Sequence, residues 1–127
     1  MTTAEELEAF AEISRIVREK HPDAPLHYRD AKNYFTVHQK NLRKWFVRLA
    51  IEKQPFWVAF RHVKPEAART LCPGVEVIDA GAFGDCRIAL KSAADVEKLG
   101  PIILASFEVE SARVADATEV PEPDVAP

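Results

Sequence analysis

Arg29-Asp30-Ala31-Lys32 sets a carboxylate and an ammonium two positions apart. A carboxylate that holds Mg²⁺ beside a lysine near the attacking water is the equipment of metal-assisted phosphodiester hydrolysis. That chemistry needs a second acid on a neighbouring strand. The nearest upstream, Asp23, is separated from Asp30 by six residues, which is little room for two adjacent strands. A three-residue pattern also arises readily by chance, so Asp30 reads equally well as a hairpin cap or a partner of Arg29 or Lys32.

Anion binding is the second chemistry on offer. Arg29, Lys32, Arg43, Lys44 and Arg48 fall within one hairpin-plus-strand unit, with Tyr34 and Phe46 interleaved. Guanidinium forks and lysine point charges match phosphate oxygens, and aromatic faces accept bases at about 1–3 kcal/mol each. The competing reading is a solvated sheet face whose aromatics belong to the core. Other constellations are weaker. His27 and His38 can meet across the first hairpin, but none of the four histidines has a His-x3-His or Cys-x2-Cys partner, so neither metal nor cofactor is expected. Gly81-Ala-Phe-Gly84-Asp85 does not join a strand to a helix as a phosphate loop does, and is expected to turn through positive φ into the last strand. No serine or cysteine nucleophile sits beside an identifiable base, and Cys72, ahead of Pro73, reads as inert.

Charge is segregated along the chain. Residues 26–64 hold nine bases against two acids (net +7), and eight of the eleven aromatic residues, whereas the whole chain carries −3. Such asymmetry describes partners, and cations among aromatics suit phosphate backbones with exposed bases.

The elements that must position these residues follow from spacing. Thr3-Ala4-Glu5-Glu6 fits a capping box, and Leu7, Phe10, Ile13 and Val17 recur at three- and four-residue intervals, predicting a helix over 4–20 that ends at His21-Pro22. Short β-rich runs follow at 26–30 and 34–39 around a tight turn. Residues 44–51 alternate, with Trp45, Val47, Leu49 and Ile51 predicted inward and Lys44, Phe46, Arg48 and Ala50 outward. In the run 56–62, Phe56, Val58 and Phe60 oppose Trp57, Ala59 and Arg61, and 64–71 is a short helical turn. Strand candidates at 75–78 and 86–91 come next, Cys86, Ile88 and Leu90 facing the core and Arg87 and Lys91 facing water. Ser92 then caps a final helix with Val96, Leu99, Ile103 and Phe107 as its stripe, and Gly100-Pro101 inside it predicts a kink or two short helices. These elements predict an α+β fold, an antiparallel sheet of five to six strands with an N-terminal and a C-terminal helix, as a single domain over 1–109. A disordered, acidic, proline-rich tail is expected over 110–127.

With 127 residues the chain has the size of one domain. No apolar run reaches a membrane span, no signal-like pattern opens the sequence, and two cysteines make no disulfide framework, so a cytoplasmic location without membrane contact is expected.

The run Tyr28-Arg29-Asp30-Ala31-Lys32-Asn33-Tyr34-Phe35, followed by Asn41-Leu42-Arg43-Lys44-Trp45 and Arg48-Leu49, resembles a small domain of type I restriction endonuclease-like proteins. The signature there runs approximately Tyr-Arg-Asp-Thr-Lys-x-Tyr-Phe, then Asn-x-Arg-Lys and Arg-Leu, C-terminal to a nuclease-like segment. The later stretch from Gly81 to the Ser92–Asp95 helix start is similar to the end of an uncharacterised domain of restriction-associated and predicted transport proteins, with Ala82 and Phe83 in place of a His-Trp core. The resemblance covers about residues 5–107. It implies an accessory, nucleic-acid-facing module, with Arg29, Lys32, Arg43, Lys44 and Arg48 at matching positions. It also places any metal site in the other segment, away from Asp30.

The expected function is therefore a small cytoplasmic binding module for nucleic acid or a nucleotide-like anion, linked to restriction or phage defence and not catalytic alone. Its expected contact residues are Arg29, Lys32, Tyr34, Arg43, Lys44, Phe46 and Arg48. A protein–protein adaptor and a Mg-dependent nuclease using Asp30 and Lys32 are the alternatives. Two mutational expectations follow. Alanine at Arg43 and Lys44 weakens binding without unfolding, and Trp45→Ala truncates the core at about 3–5 kcal/mol. Everything rests on the cations and rings of the central hairpins converging on one accessible patch.

Overall fold

The computed structural model describes residues 2–31 and 33–113. Helix α1 (Ala4–Lys20) starts on the expected capping box: Glu6 N donates to Thr3 Oγ1 at 3.1 Å and Thr3 N donates to Glu6 Oε1 at 2.9 Å. Burial pushes the Glu6 carboxyl above the usual carboxylate range, reinforced by Asp30 and Glu52 and opposed by the Thr3 hydrogen bonds. Six strands follow: β1 (His27–Asp30), β2 (Phe35–His38), β3 (Trp45–Ala50), β4 (Phe56–Phe60), β5 (Val77–Ile78) and β6 (Cys86–Leu90). They form one antiparallel sheet in the order β1-β2-β3-β4-β6-β5. A 3₁₀ turn (Leu42–Lys44) leads into β3, and helix α2 (Pro65–Leu71) follows β4. The fold is the α+β class that the periodicities predict.

The predicted break at Gly100-Pro101 appears as two helices. A 3₁₀ segment (Ala93–Leu99), boxed by Ser92 and Asp95, gives way to α3 (Gly100–Ala112), with proline in the first turn where its missing N–H costs no ladder bond. Helix α3 runs three residues beyond the boundary expected at 109, and Glu110 in its last turn is fully buried. The remainder of the expected tail, 114–127, lies outside the described residues. Among the described residues no helix is long and apolar enough to cross a membrane.

Every helix packs on one face of the sheet. Ile13 and Val17 of α1, Ala68 of α2, Val96 and Leu99 of the 3₁₀ segment and Ile102, Ile103 and Phe107 of α3 share a core with Phe35, Val37, Leu49, Val58, Phe60, Cys86 and Ile88. Burial pushes the thiols of Cys72 and Cys86 up, so they stay protonated and inert. A second, smaller cluster of Tyr34, Trp57 and Ala59, with Ala31, Ala50, Ile78 and Phe83 against it, contains no helical residue and marks the opposite face.

Strand β3 departs from the predicted alternation at its start. His38 pairs with Trp45 but Val37 pairs with Val47, so Phe46 is the extra residue of a β-bulge. The bulge turns Phe46 to the same side as Val47. Its ring is fully buried in the helix-side core, 5.4 Å from that of Phe107. Trp45, expected inward, lies on the helix-free side beneath the Arg48 guanidinium, 3.8 Å from Cζ to the ring centroid. Beyond the bulge the alternation holds, as it does throughout β4 and β6.

Candidate nucleic-acid interface

Antiparallel register places the helix-free face in rows. Arg29 pairs with Thr36, Thr36 with Arg48, Arg48 with Ala59, Ala59 with Arg87, and Arg87 with Ile78. Three arginines from β1, β3 and β6 thus stand in one cross-strand row, about 10 Å apart at the usual strand spacing. The row on one side contains His27, His38 and Trp45, and the row on the other contains Ala50, Trp57 and Ala89.

Aromatic rings and guanidiniums interleave on this face. Arg48 Cζ is 3.8 Å from the Trp45 ring and 5.2 Å from that of Tyr34. Arg61 lies 5.2 Å from Trp45, and Arg87 lies 5.1 Å from Trp57 and 5.2 Å from Phe83. At the β1 end the rings of His27 and His38 are 5.7 Å apart, meeting across the hairpin as their spacing allows. Burial holds His38 below the usual histidine range, although a 2.8 Å contact from Nδ1 to the Gln39 carbonyl opposes this, and the neighbouring His27 and Arg29 push it further down. The site therefore resists taking on another positive charge.

The loop from Asp79 to Asp85 crosses part of this face. Phe83 sits 4.6 Å from the Trp57 ring and 5.8 Å from that of Tyr34, edge-on to the latter. Arg48 Nη1 donates to the carbonyls of Phe83 (2.7 Å) and Ala82 (3.4 Å), and Arg87 Nε donates to that of Asp79 (2.7 Å). Gly81 takes the expected positive φ, +57°. At Gly84 a Cβ would lie 2.8 Å from the Phe60 carbonyl oxygen, which confines that position to glycine unless the backbone shifts.

The residues expected to make one patch therefore divide. Arg29 is exposed on this face, and Tyr34 and Arg48 lie on it but are almost entirely buried. Lys32 is outside the described residues. Arg43 is half-buried at the entry to β3, where its carbonyl accepts from Arg61 and Arg113. Phe46 belongs to the opposite face, because the bulge reverses it, and so offers no stacking surface. Lys44 is committed elsewhere: its Nζ donates to the carbonyls of Glu110 (2.7 Å) and Arg113 (2.5 Å), closing the C-terminal end of α3.

Lys44 there joins a cluster that sequence reasoning missed. The Glu110 carboxylate is fully buried and lies within salt-bridge distance of Lys44 (3.6 Å), Arg61 (3.1 Å), His62 (2.7 Å) and Arg113 (3.0 Å). His62 holds φ +71°, and its backbone N–H donates to Asp85 Oδ2 at 2.7 Å. Ser106 Oγ adds contacts of 2.8 and 2.6 Å to the Phe46 and Arg61 carbonyls. A buried carboxylate is tolerable only when paired in this way, so the cluster reads as a clasp between α3 and the β3–β4 region. Nothing in the local sequence announces Glu110. Arg87 and Trp57 were legible from the alternation of their strands, but Arg87 lies outside the basic stretch.

Asp30 accepts from Thr2 Oγ1 at 2.9 Å on the edge strand. Among the described residues no group of three or more His, Cys, Asp or Glu side chains is placed to hold a metal ion. Comparisons with models of known families, with curated proteins and with solved structures return no match.

Proposed function

We propose that this chain is a small cytoplasmic binding module for nucleic acid or a nucleotide-like anion, contacting it through the helix-free face of the sheet and catalysing nothing by itself. The observation that carries this reading is the cross-strand row of Arg29, Arg48 and Arg87 between Trp45 and Trp57. The guanidiniums stand on every second strand, with the two indole rings in the rows on either side, an arrangement suited to phosphates and bases together. The resemblance of the 28–35 and 41–49 segments to a restriction-associated domain supports a role beside restriction or phage defence as part of the same proposal.

Fluorescence anisotropy with labelled single- and double-stranded DNA and RNA tests it. Affinity is expected to fall steadily as salt rises. Arg29→Ala is expected to weaken binding by about three- to tenfold and to reduce the slope of log K against log salt by about one. Absence of binding at low salt overturns the proposal, and salt-independent binding overturns its phosphate-led mechanism.

A pH dependence follows as well. The depressed His38 binds fewer protons in the folded protein than in the unfolded chain, so its contribution to stability is lost as pH falls through the ordinary histidine range. A bound anion beside His27, Arg29 and His38 favours the protonated ring. Affinity should rise on acidification from about pH 7.5 to pH 6, with the NMR titration of His38 moving to higher pH in the complex. A His38 titration unmoved by saturating polyanion would remove this end of the sheet from the interface.

A further inference from the structure

The inference drawn here rests on the proposed anion-binding face and names the ligand group it takes. On that face, the loop between β5 and β6 occupies positions that a nucleotide would fill. The Phe83 ring lies against Trp57 and Tyr34 with the Arg87 guanidinium beside it, while carbonyl oxygens of Asp79, Ala82 and Phe83 take N–H groups of Arg48 and Arg87. One flat ring sits in an aromatic slot, and three oxygens sit on two guanidiniums. We propose that this is a base-binding slot closed by its own loop, and that an unpaired nucleobase with its phosphate displaces Phe83 and the carbonyls behind it.

The loop's construction fits a displaceable cover. Both ends are anchored. At one end Asp85 N donates to the Phe60 carbonyl at 2.8 Å, its carboxylate takes the His62 N–H, and Gly84 lies flat on the Phe60 carbonyl. At the other, Ile78 is paired with Arg87 in the sheet, and Gly81 N donates to Asp79 Oδ1 at 3.2 Å to shape the chain as it leaves β5. Between them Ala80, Gly81 and Ala82 have almost no side chain to pack, so the Phe83 ring and the Arg48 bonds to the Ala82 and Phe83 carbonyls hold the middle of the loop down. The exchange also favours the ligand chemically. A guanidinium bonded to a neutral carbonyl gains when a phosphate oxygen replaces it, because the anion adds Coulomb attraction to the hydrogen bond and the planar fork fits phosphate oxygens two at a time. A base then replaces one ring on Trp57 with another of comparable stacking energy. Duplex DNA, whose bases are stacked and paired, cannot make this exchange.

The test uses the full chain, with Trp fluorescence and anisotropy as readouts. The probes are a single-stranded oligothymidylate of about twelve nucleotides, a duplex of equal length, and thymidine 5′-monophosphate. Phe83→Ala removes the competitor, and is expected to tighten binding of the single strand by about five- to tenfold while duplex affinity changes less than about twofold. Trp57→Ala placed on Phe83→Ala is expected to abolish the gain. Wild-type protein supplies a measurement that no folding defect can mimic. Hydrogen exchange at the Phe83 amide, bonded to the Ala80 carbonyl at 3.1 Å, should accelerate when the single strand binds. Saturable binding of the monophosphate at this slot would identify a free nucleotide as the ligand's source, and binding of the strand alone a nucleic acid. If wild type binds polyanions in a salt-dependent way but Phe83→Ala leaves single-strand affinity unchanged or weakens it, or the Phe83 amide slows on binding, the slot is wrong and the cationic face stands. If neither protein binds any probe at low salt, both fall.

Discussion

Phe46→Ala is expected to lower the unfolding free energy by about 3–5 kcal/mol, the cost of removing a fully buried phenyl ring and leaving its space partly unfilled. The ring is fully buried among helix-side residues and meets Phe107 edge-on at 5.4 Å, so its loss opens a void between β3 and α3. Urea denaturation should show the midpoint falling with little change in slope. The result also discriminates between two readings of β3. Under uninterrupted alternation Phe46 is a surface ring, its truncation costs well under 1 kcal/mol, and nucleic-acid affinity falls instead. A loss of stability below about 1 kcal/mol would therefore place the bulge elsewhere and return Phe46 to the ligand face.

Glu110→Gln is the second large effect. The substitution keeps the volume of the side chain and removes its charge, leaving Lys44, Arg61 and Arg113 around a neutral amide. Breaking a fully buried pair costs about 3–5 kcal/mol. The cationic partners here keep 13% to 25% of their side-chain surface, so solvent relieves part of the penalty and about 2–3 kcal/mol is expected. For a domain of this size that corresponds to a fall in Tm on the order of 10 °C. Glu108→Gln, two residues earlier on the exposed side and paired with the half-exposed His21, is the control and should stay within about 0.5 kcal/mol. Equal effects at the two positions would mean that the clasp contributes no more than an ordinary surface pair.

These two results bear on how the positive charge of residues 26–64 is used. Lys44 and Arg61 converge on Glu110, and Lys44 Nζ also closes the end of α3, so both serve the packing of helix on sheet. Alanine at Lys44 thus removes a structural bond, contrary to the expectation that Arg43 and Lys44 are dispensable for folding. Trp45 is buried, as expected of a large ring, but by arginines on the face opposite the main core. The proposed binding face retains Arg29 and Arg48, with Arg87 contributed from beyond the basic stretch.

The sequence by itself determined whatever depends on neighbours a few residues away. The capping boxes at Thr3 and Ser92, the helical stripe over 4–20, the break at Pro101, the positive φ at Gly81 and the alternation in β4 and β6 are local consequences of side-chain shape, backbone freedom and hydrogen-bond competition. Tertiary structure decided the rest, because each remaining feature pairs groups distant along the chain. A bulge exists only relative to the partner strand, so the side of Phe46 follows from the register of β2 on β3. The destination of Lys44 depends on the last turn of α3, whose Glu110 lies 66 residues later. Glu110 could be buried only because cations from the turn before β3, from the chain just after β4 and from the cap of its own helix arrive at one point, and a period of apolar residues carries no trace of such a meeting.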